Sequence, residues 1–433
     1  MSPALVITII TCATLIVAIL FKPRVSIFKK SFASHWIIAL LGALTMLATA
    51  QVSGLDIIAR VTSSDSINPL KILTLFFSMT MISIALDELG FFKYLANKAV
   101  KSAKTSQRAL FLYMYLAASF LTLFTSNDIV ILTFTPFICY FAKSAKINPI
   151  PYLFTEFVAA NTWSMALVIG NPTNIYLASI NDLGFVEYAS VMLLPTISAG
   201  IFSYFLLRLI FRKQLSAEMQ PCVEVVRIRN KTQLAFAVSV LALCTIALVF
   251  STLLNLEMWL ISFVSAIILA IFIAISRFCN KSTSITLKQV LKRVPWNLAI
   301  FVLSMTTIVA ALVNDGSIEL IAKALSSVDT IWGYGFASFF GANLINNIPM
   351  SIMFAEVIDA GYVLLPQSAI YASIIGSNLC AFFTPIGALA GIMWAEIVKG
   401  NKIEFNFLTF VKYGIISATS TLAVALFVLS ILL

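Results

Sequence analysis

Two polar pairs sit in unexpected company. Asn127 and Asp128 lie inside FTSNDIVILTFTP, residues 124 to 136, a stretch otherwise apolar enough to rest in hydrocarbon. Asn346 and Asn347 occupy a comparable place in INNIP. Two further apolar runs are interrupted, one by Gly170-Asn171-Pro172-Thr173-Asn174 and one by Thr384-Pro385-Ile386-Gly387. Backbone that stops being helical at membrane depth is tolerated only where it is buried or lines a cavity, because each unsatisfied N–H or C=O costs several kcal/mol. Proline removes a donor and glycine permits the turn, so Gly170, Pro172, Pro349, Pro385 and Gly387 read as structural breaks. A half-helix that begins after such a break points its positive end at an anion, and unwound carbonyls with side-chain oxygens suit Na⁺.

The expected substrate and ion lining is Ser126, Asn127, Asp128, Asn171, Thr173 and Asn174 from the first half of the chain. Asn346, Asn347, Ser377, Asn378 and Thr384 supply it from the second, with Asn161 in support from the adjacent turn. A sodium ion is expected near Asn127, Asp128, Asn171, Asn346 and Asn378. Plainer roles stand beside these. Asn127 or Asp128 could cap the return arm, and Asn346-Asn347 before Pro349 could be turn chemistry. Glu156 and Glu356 fit structural hydrogen bonds or interfacial positions, and Asp87-Glu88 fits the solvated end of a span. No Lys or Arg falls within the apolar runs that form the site, so no bidentate clamp for a phosphate or dicarboxylate is expected. Asp128 is the one acid at a tip; ionised, it repels an anion unless Na⁺ or H⁺ binds nearby, which points to cation coupling.

The elements that must carry these residues follow from composition. The chain has 433 residues, 61% of them hydrophobic and 11% charged, with a mean hydropathy of +1.01. Apolar runs long enough to cross a roughly 30 Å hydrocarbon layer recur from Ala4 onward. An all-α polytopic membrane protein is expected, and a cleaved leader is not, since the first run is one of many. The +10 net charge lies in short clusters between runs with no aromatic interleaving, so it sets orientation and implies no nucleic-acid partner. Six cysteines (Cys12, Cys139, Cys222, Cys244, Cys279, Cys380) have neither metal nor disulfide spacing and read as small core residues. His35 reads as interfacial, and no hydrolase, phosphate-loop or zinc-protease motif is present, so an enzyme and a cofactor are not expected.

The two halves align. PLKILTLFFSMTMISIALDELG (69 to 90) matches PWNLAIFVLSMTTIVAALVNDG (295 to 316) at an offset of 226, Asn127 matches Asn346 at 219, and Asn161 and Gly170 match Asn378 and Gly387 at 217. Basic clusters at 22 to 30, 93 to 108, 143 to 146, 208 to 231, 277 to 293 and 399 to 412 mark cytoplasmic loops, while loops near 53 to 68, 180 to 187, 254 to 257, 314 to 330 and 359 to 366 are poor in Lys and Arg. Segment 109–143 enters from one basic loop and leaves into another, so it is a re-entrant hairpin; 331–358 is its counterpart from outside. About ten spans, two opposed hairpins and two broken helices (150–180 and 367–395) follow. The first repeat is 1–211, a cytoplasmic linker 212–232, and an inverted second repeat 233–433. Both termini are expected outside the plasma (inner) membrane.

TSNDIVILTFTPF with ANTWSMALVIGNPTNIYLA, and NNIPM with GSNLCAFFTPIGALAGIMW, resemble the ion transporter superfamily over nearly the whole chain. The resemblance is to its arsenite permeases and NhaD-type sodium/proton antiporters, relatives of sodium-coupled carboxylate and sulfate symporters. It implies an elevator-like motion of a transport domain against a scaffold, a small inorganic or organic anion as substrate, H⁺ or Na⁺ as coupling cation, the lipid bilayer as environment and a homodimer as a common assembly. The dicarboxylate branch is similar in having Ser-Asn-Thr at both tips; here the tips read Ser126-Asn127-Asp128 and Ile345-Asn346-Asn347. The expectation is a cation-coupled transporter of an arsenite-like or antimonite-like acid. A sodium-coupled carboxylate or sulfate symporter, a sodium/proton antiporter, and a passive channel or scaffold are the alternatives.

Overall fold

The computed structural model describes residues 2–27, 30–63, 68–219, 228, 230–279 and 284–433. Lys29, Asp65, Cys222 and part of the expected linker lie outside the described residues.

The chain is helical almost throughout. The first half runs α1 (Pro3–Phe21), a short hairpin of β1 (Arg24–Ile27) and β2 (Lys30–Ala33), α2 (Ser34–Ala48), α3 (Gly54–Thr62), α4 (Pro69–Glu88) and α5 (Phe91–Ala103). It continues with α6 (Gln107–Phe124), α7 (Asn127–Ser144), α8 (Ile150–Trp163), α9 (Pro172–Ala178) and α10 (Phe185–Ile210). The second half has α11 (Lys231–Val249), α12 (Met258–Cys279), α13 (Leu287–Arg293), α14 (Asn297–Asn314) and α15 (Ser317–Ser326). Then come α16 (Thr330–Ile345), α17 (Asn347–Asp359), α18 (Pro366–Leu379), α19 (Leu389–Gly400) and α20 (Phe407–Leu432). The helices of the second list repeat those of the first in order.

Packing is reciprocal between the lists. α2 packs on α14 as α12 packs on α4, α7 on α19 as α17 on α9, and α6 on α8 as α16 on α18; α10 and α20 pack on each other. Each half therefore completes the other's core. Large apolar side chains such as Phe205, Leu243, Ile271 and Phe427 remain exposed on α10, α11, α12 and α20, where lipid, not protein, is their natural neighbour.

Seven helical stretches among the described residues are long and apolar enough to cross a membrane. Six of them, ending with α20, fall on apolar runs outside the expected hairpins, one joining α13 to α14 across a short break; the seventh, α6, is an arm of the first hairpin. α1 and α2 are apolar but fall in the shorter class, and α8–α9 and α18–α19 are interrupted. The count of long helices differs from ten because chain breaks and hairpins, not length alone, organise this fold.

Contacts join loops of like charge class. Ser106 bridges to Glu218 and Arg24 pairs with Glu396 among the basic loops. Ser2 donates to Asp315, Arg60 pairs with Glu356, and Gln367 Nε2 donates to Glu187 at 3.1 Å among the others. Loops of each charge class thus lie against others of the same class.

Candidate functional site

The local sequence explains each break. α6 ends at Phe124, Thr125 and Ser126 are extended, and the Ser126 hydroxyl accepts from Asp128 N to start α7. Ser126, not Asn127 or Asp128, is therefore the N-cap. At the second tip Asn346 joins α16 to α17 with φ +76° and ψ 152°, a backbone region that glycine alone occupies comfortably. Its side chain also caps, accepting from Ile348 N at 3.4 Å, so turn chemistry is one of its roles. The caps align Ser126 with Asn346, which pairs Asn127 with Asn347 and Asp128 with Ile348, one residue away from the sequence alignment.

Glycine is required at both helix interruptions. A Cβ on Gly170 would lie 2.2 Å from Ser164 O, and one on Gly387 would lie 2.7 Å from Cys380 O and 2.9 Å from Asn343 Oδ1. In each break the chain folds back onto the carbonyl of the preceding helix end. Pro172 then starts α9, with Asn171 as its N-cap accepting from Thr173 N at 3.2 Å.

Asn378 is the hub of the buried polar network. Its Oδ1 accepts from Ser164 Oγ at 2.7 Å and from Asn171 Nδ2 at 2.9 Å. Its Nδ2 donates to Asn174 Oδ1 at 2.7 Å. Asn174 Nδ2 in turn donates to Ser164 O and Leu167 O, and Ser377 Oγ to Thr173 Oγ1 at 3.3 Å. Asn127 joins through Asn161, Nδ2 to Oδ1 at 3.0 Å, and the Ser164 hydroxyl donates to Asn161 O. All are buried. One amide of the second half thus ties together the broken helix of the first.

Asn346, Asn347 and Thr384 form a separate group around the second break. Asn346 Nδ2 donates to Ile386 O at 3.2 Å, Asn347 N to Gly387 O at 2.9 Å, and Thr384 Oγ1 to Asn343 Oδ1 at 2.6 Å. Asn347 Oδ1 is buried without a hydrogen-bond partner among the described residues, an acceptor available to a ligand or cation.

Three spaces are strung along α4. Lys71, Ile72 and Leu75 help line a cavity of about 340 Å³ near the ends of α9 and α12. There the Lys71 ammonium, 2.7 Å from Glu257 Oε2, holds the Glu257 carboxyl below the usual carboxylate range. Phe76 and Thr80 line a second cavity of about 190 Å³ with Ser126, Asp128, Leu132, Leu389 and Met393. Between them lies a void of about 10 Å³ bounded by Ile72, Phe76, Leu298, Val302, Thr173 and Ile348.

The second cavity and the void are counterparts. Asp128, Phe76, Leu298, Leu389 and Met393 line the cavity; their equivalents Ile348, Val302, Ile72, Pro172 and Tyr176 line the void. One member of an equivalent pair is open and the other is filled. A single common cavity for both tips, expected from sequence, is not what forms here: Ser126 and Asp128 face one space, Thr173 the other.

Several residues were not legible in advance. Arg24, Arg293, His35 and Glu396 also line the cavity with Asp128, so guanidinium groups do approach it, from β1 and the end of α13. His35 is accordingly a cavity residue, edge-on to Phe301 at 5.3 Å. Asp87-Glu88 is not a solvated end. Asp87 is buried and its Oδ2 lies 2.6 Å from Arg293, with Glu88 Oε1 at 2.8 Å. Both arginines are therefore engaged by carboxylates. The described residues hold no cluster of His, Cys, Asp and Glu suited to a metal ion.

The citrate transporter family model matches residues 15–376. The arsenical pump membrane protein of Escherichia coli is 27% identical over 372 residues, covering 82% of this chain and 85% of its own. A putative arsenical pump membrane protein of Bacillus subtilis is 26% identical over 370 residues, covering 78% and 82%. A solved YdaH transporter of Alcanivorax borkumensis superposes with a TM-score of 0.58 over 99% of this chain and 98% of its own, at 14% identity, which is a likeness of fold.

Proposed function

The chain belongs to the citrate transporter family, and from that premise we propose that it is a cation-coupled secondary transporter of a small inorganic oxyanion or metalloid acid, arsenite-like or antimonite-like. As a member of that family it is a multi-pass membrane transporter and not an enzyme. The observation that carries the proposal is the crossing of two interrupted helices at Asn378 beside a carboxylate-lined cavity whose counterpart is filled.

The chemistry of the lining favours the substrate class. Amides and hydroxyls on both sides of the crossing suit a compact acid that offers several hydroxyls. A multiply charged carboxylate calls for a free guanidinium clamp, whereas Arg293 is held by Asp87 and Glu88 and Arg24 by Glu396. The names of the relatives, arsenical pump membrane proteins, support the same choice.

Asp128 is the coupling group in this reading, taking up H⁺ or Na⁺ where it lines the cavity with Ser126. The unequal pair of spaces supports alternating access, the two halves being inverted repeats that exchange conformations in an elevator-type motion. With basic loops in the cytoplasm and both termini outside, the Asp128 cavity opens inward. A sodium-coupled carboxylate or sulfate symporter is the second reading, favoured by the family description; a Na⁺/H⁺ antiporter is a third. Flux of arsenite into proteoliposomes under imposed proton or sodium gradients decides. Gradient-driven accumulation is expected, and equilibration without accumulation would show a passive channel instead.

A further inference from the structure

We infer that the Glu156 carboxyl is a second proton-binding site, separate from Asp128 and enclosed among α7, α8 and α19. The inference rests on the proton-coupled form of the proposed function.

Glu156 lies on α8 and is 1% exposed. Thr135 Oγ1 donates to its Oε2 at 3.2 Å and stands 3.5 Å from Oε1. No ion pair reaches it among the described residues, in contrast to Glu356, Asp87 and Glu88, each of which has an arginine. The Trp394 side chain lies beside it and is its other hydrogen-bonding neighbour. Trp394 is itself held among aromatic rings, Phe157 and Phe410 each packing on it at 5.4 Å. An isolated carboxylate in such a place is too costly to persist, so the site holds a proton whenever it is closed.

Other titratable groups on the packed elements are turned elsewhere. Cys139 on α7 is the one within electrostatic reach of Glu156. Tyr152 of α8 bonds to Gln107 near the start of α6, Tyr115 of α6 to Gly200 and Ser203 of α10, and Tyr204 of α10 packs on Tyr115. Tyr371 of α18 packs on Tyr188, Tyr413 of α20 on Phe154, and Cys380 donates to Ser377 O. Glu396 of α19 pairs with Arg24.

A route to water is built into α7. Asp128 and Leu132 line the 190 Å³ cavity, and the same helical face reaches Thr135 seven residues on, about 10 Å along the axis. Pro136, next to Thr135, lies inside α7 and removes the hydrogen bond that would stiffen this turn. Movement of this turn past α19, whose Met393 lines the cavity while the adjacent Trp394 faces Glu156, brings the carboxyl to cavity water. The Glu156 O–H bond then breaks, the proton passes to water and the carboxylate is left hydrated; reclosure requires a proton to return from that water. At the offset of 217 the equivalent residue in the second half is Ser373, so this acid has no twin.

The test is arsenite accumulation in sodium-free proteoliposomes under an imposed pH gradient, for wild type, Glu156→Gln and Glu156→Asp. Gln keeps shape and hydrogen bonding but cannot titrate. Expected is at least a tenfold loss of gradient-driven accumulation in Glu156→Gln, with residual uptake keeping only the pH dependence that Asp128 supplies and a monodisperse protein in detergent. Glu156→Asp should restore pH dependence with a displaced midpoint. Wild-type dependence on the gradient in Glu156→Gln would overturn the inference alone. A wild type indifferent to the gradient would overturn proton coupling and this site with it. Should the Gln variant fail to fold, an unshifted pH profile in Glu156→Asp overturns the inference.

Discussion

Asn378 Nδ2 donates to Asn174 Oδ1 across 2.7 Å, joining α18 of the second half to α9 of the first. The bond is one of several at a buried amide, and removing one partner of such a bond leaves the other unsatisfied at about 1–3 kcal/mol.

Asn378→Ala should therefore lower the thermal transition of the detergent-purified protein and abolish arsenite transport. Asn174→Ala should do the same, and the double variant should cost less than the sum, by a coupling of about 0.5–3 kcal/mol. Differential scanning fluorimetry of the four proteins measures it. Strict additivity would mean that the two amides act independently.

Asp128→Asn should leave the protein folded and cut gradient-driven arsenite accumulation at least tenfold, because the side chain keeps its size and loses its proton chemistry. Direct comparison of accumulation ratios under imposed gradients checks this. An unchanged ratio removes Asp128 from coupling.

Asn346 carries a positive φ of 76°, a conformation whose strain is of order 1–3 kcal/mol for a residue with a Cβ. Asn346→Gly should be at least as stable as the parent, since relief of strain offsets loss of the bond to Ile386 O. Asn346→Ala keeps the strain and loses the bond, so it should be less stable than the glycine variant by about 1–3 kcal/mol. Both should transport poorly. Thermal unfolding and flux on the same preparations separate the two roles of this residue.

Arg293→Gln removes the partner of a buried Asp87 and should destabilise strongly, by about 3–5 kcal/mol. Adding Asp87→Asn should recover much of the loss. Failure of the second change to rescue would show that Arg293 acts on something other than Asp87.

Much of this architecture was legible because its signals are local. Gly170 and Gly387 mark places where a Cβ has no room, and the polar tips mark helix starts, although the first cap is Ser126 and not the Asn127 or Asp128 that the sequence offered. Partnerships across the halves were not legible. Nothing around Asp87 in the sequence points to Arg293, which comes more than two hundred residues later, and nearly three hundred separate Arg60 from Glu356. Glu156 and Glu356 look alike as acids in apolar runs, yet one has an arginine and the other has a threonine. Ser164 and Asn343 were missed because each faces a break from another position in the fold, Ser164 from the end of α8 and Asn343 from α16, and a lone hydroxyl or amide carries no periodic signature.

Asp128 has Ile348 as its counterpart, so the two halves match in shape but not in charge. Trading conformations between them would recreate the geometry of the cavity on the opposite face without recreating its acid. In the proposed cycle the acid is therefore an unrepeated feature, so the two end states are unequal in energy, while the gradients of substrate and ion alone set which way net flux runs.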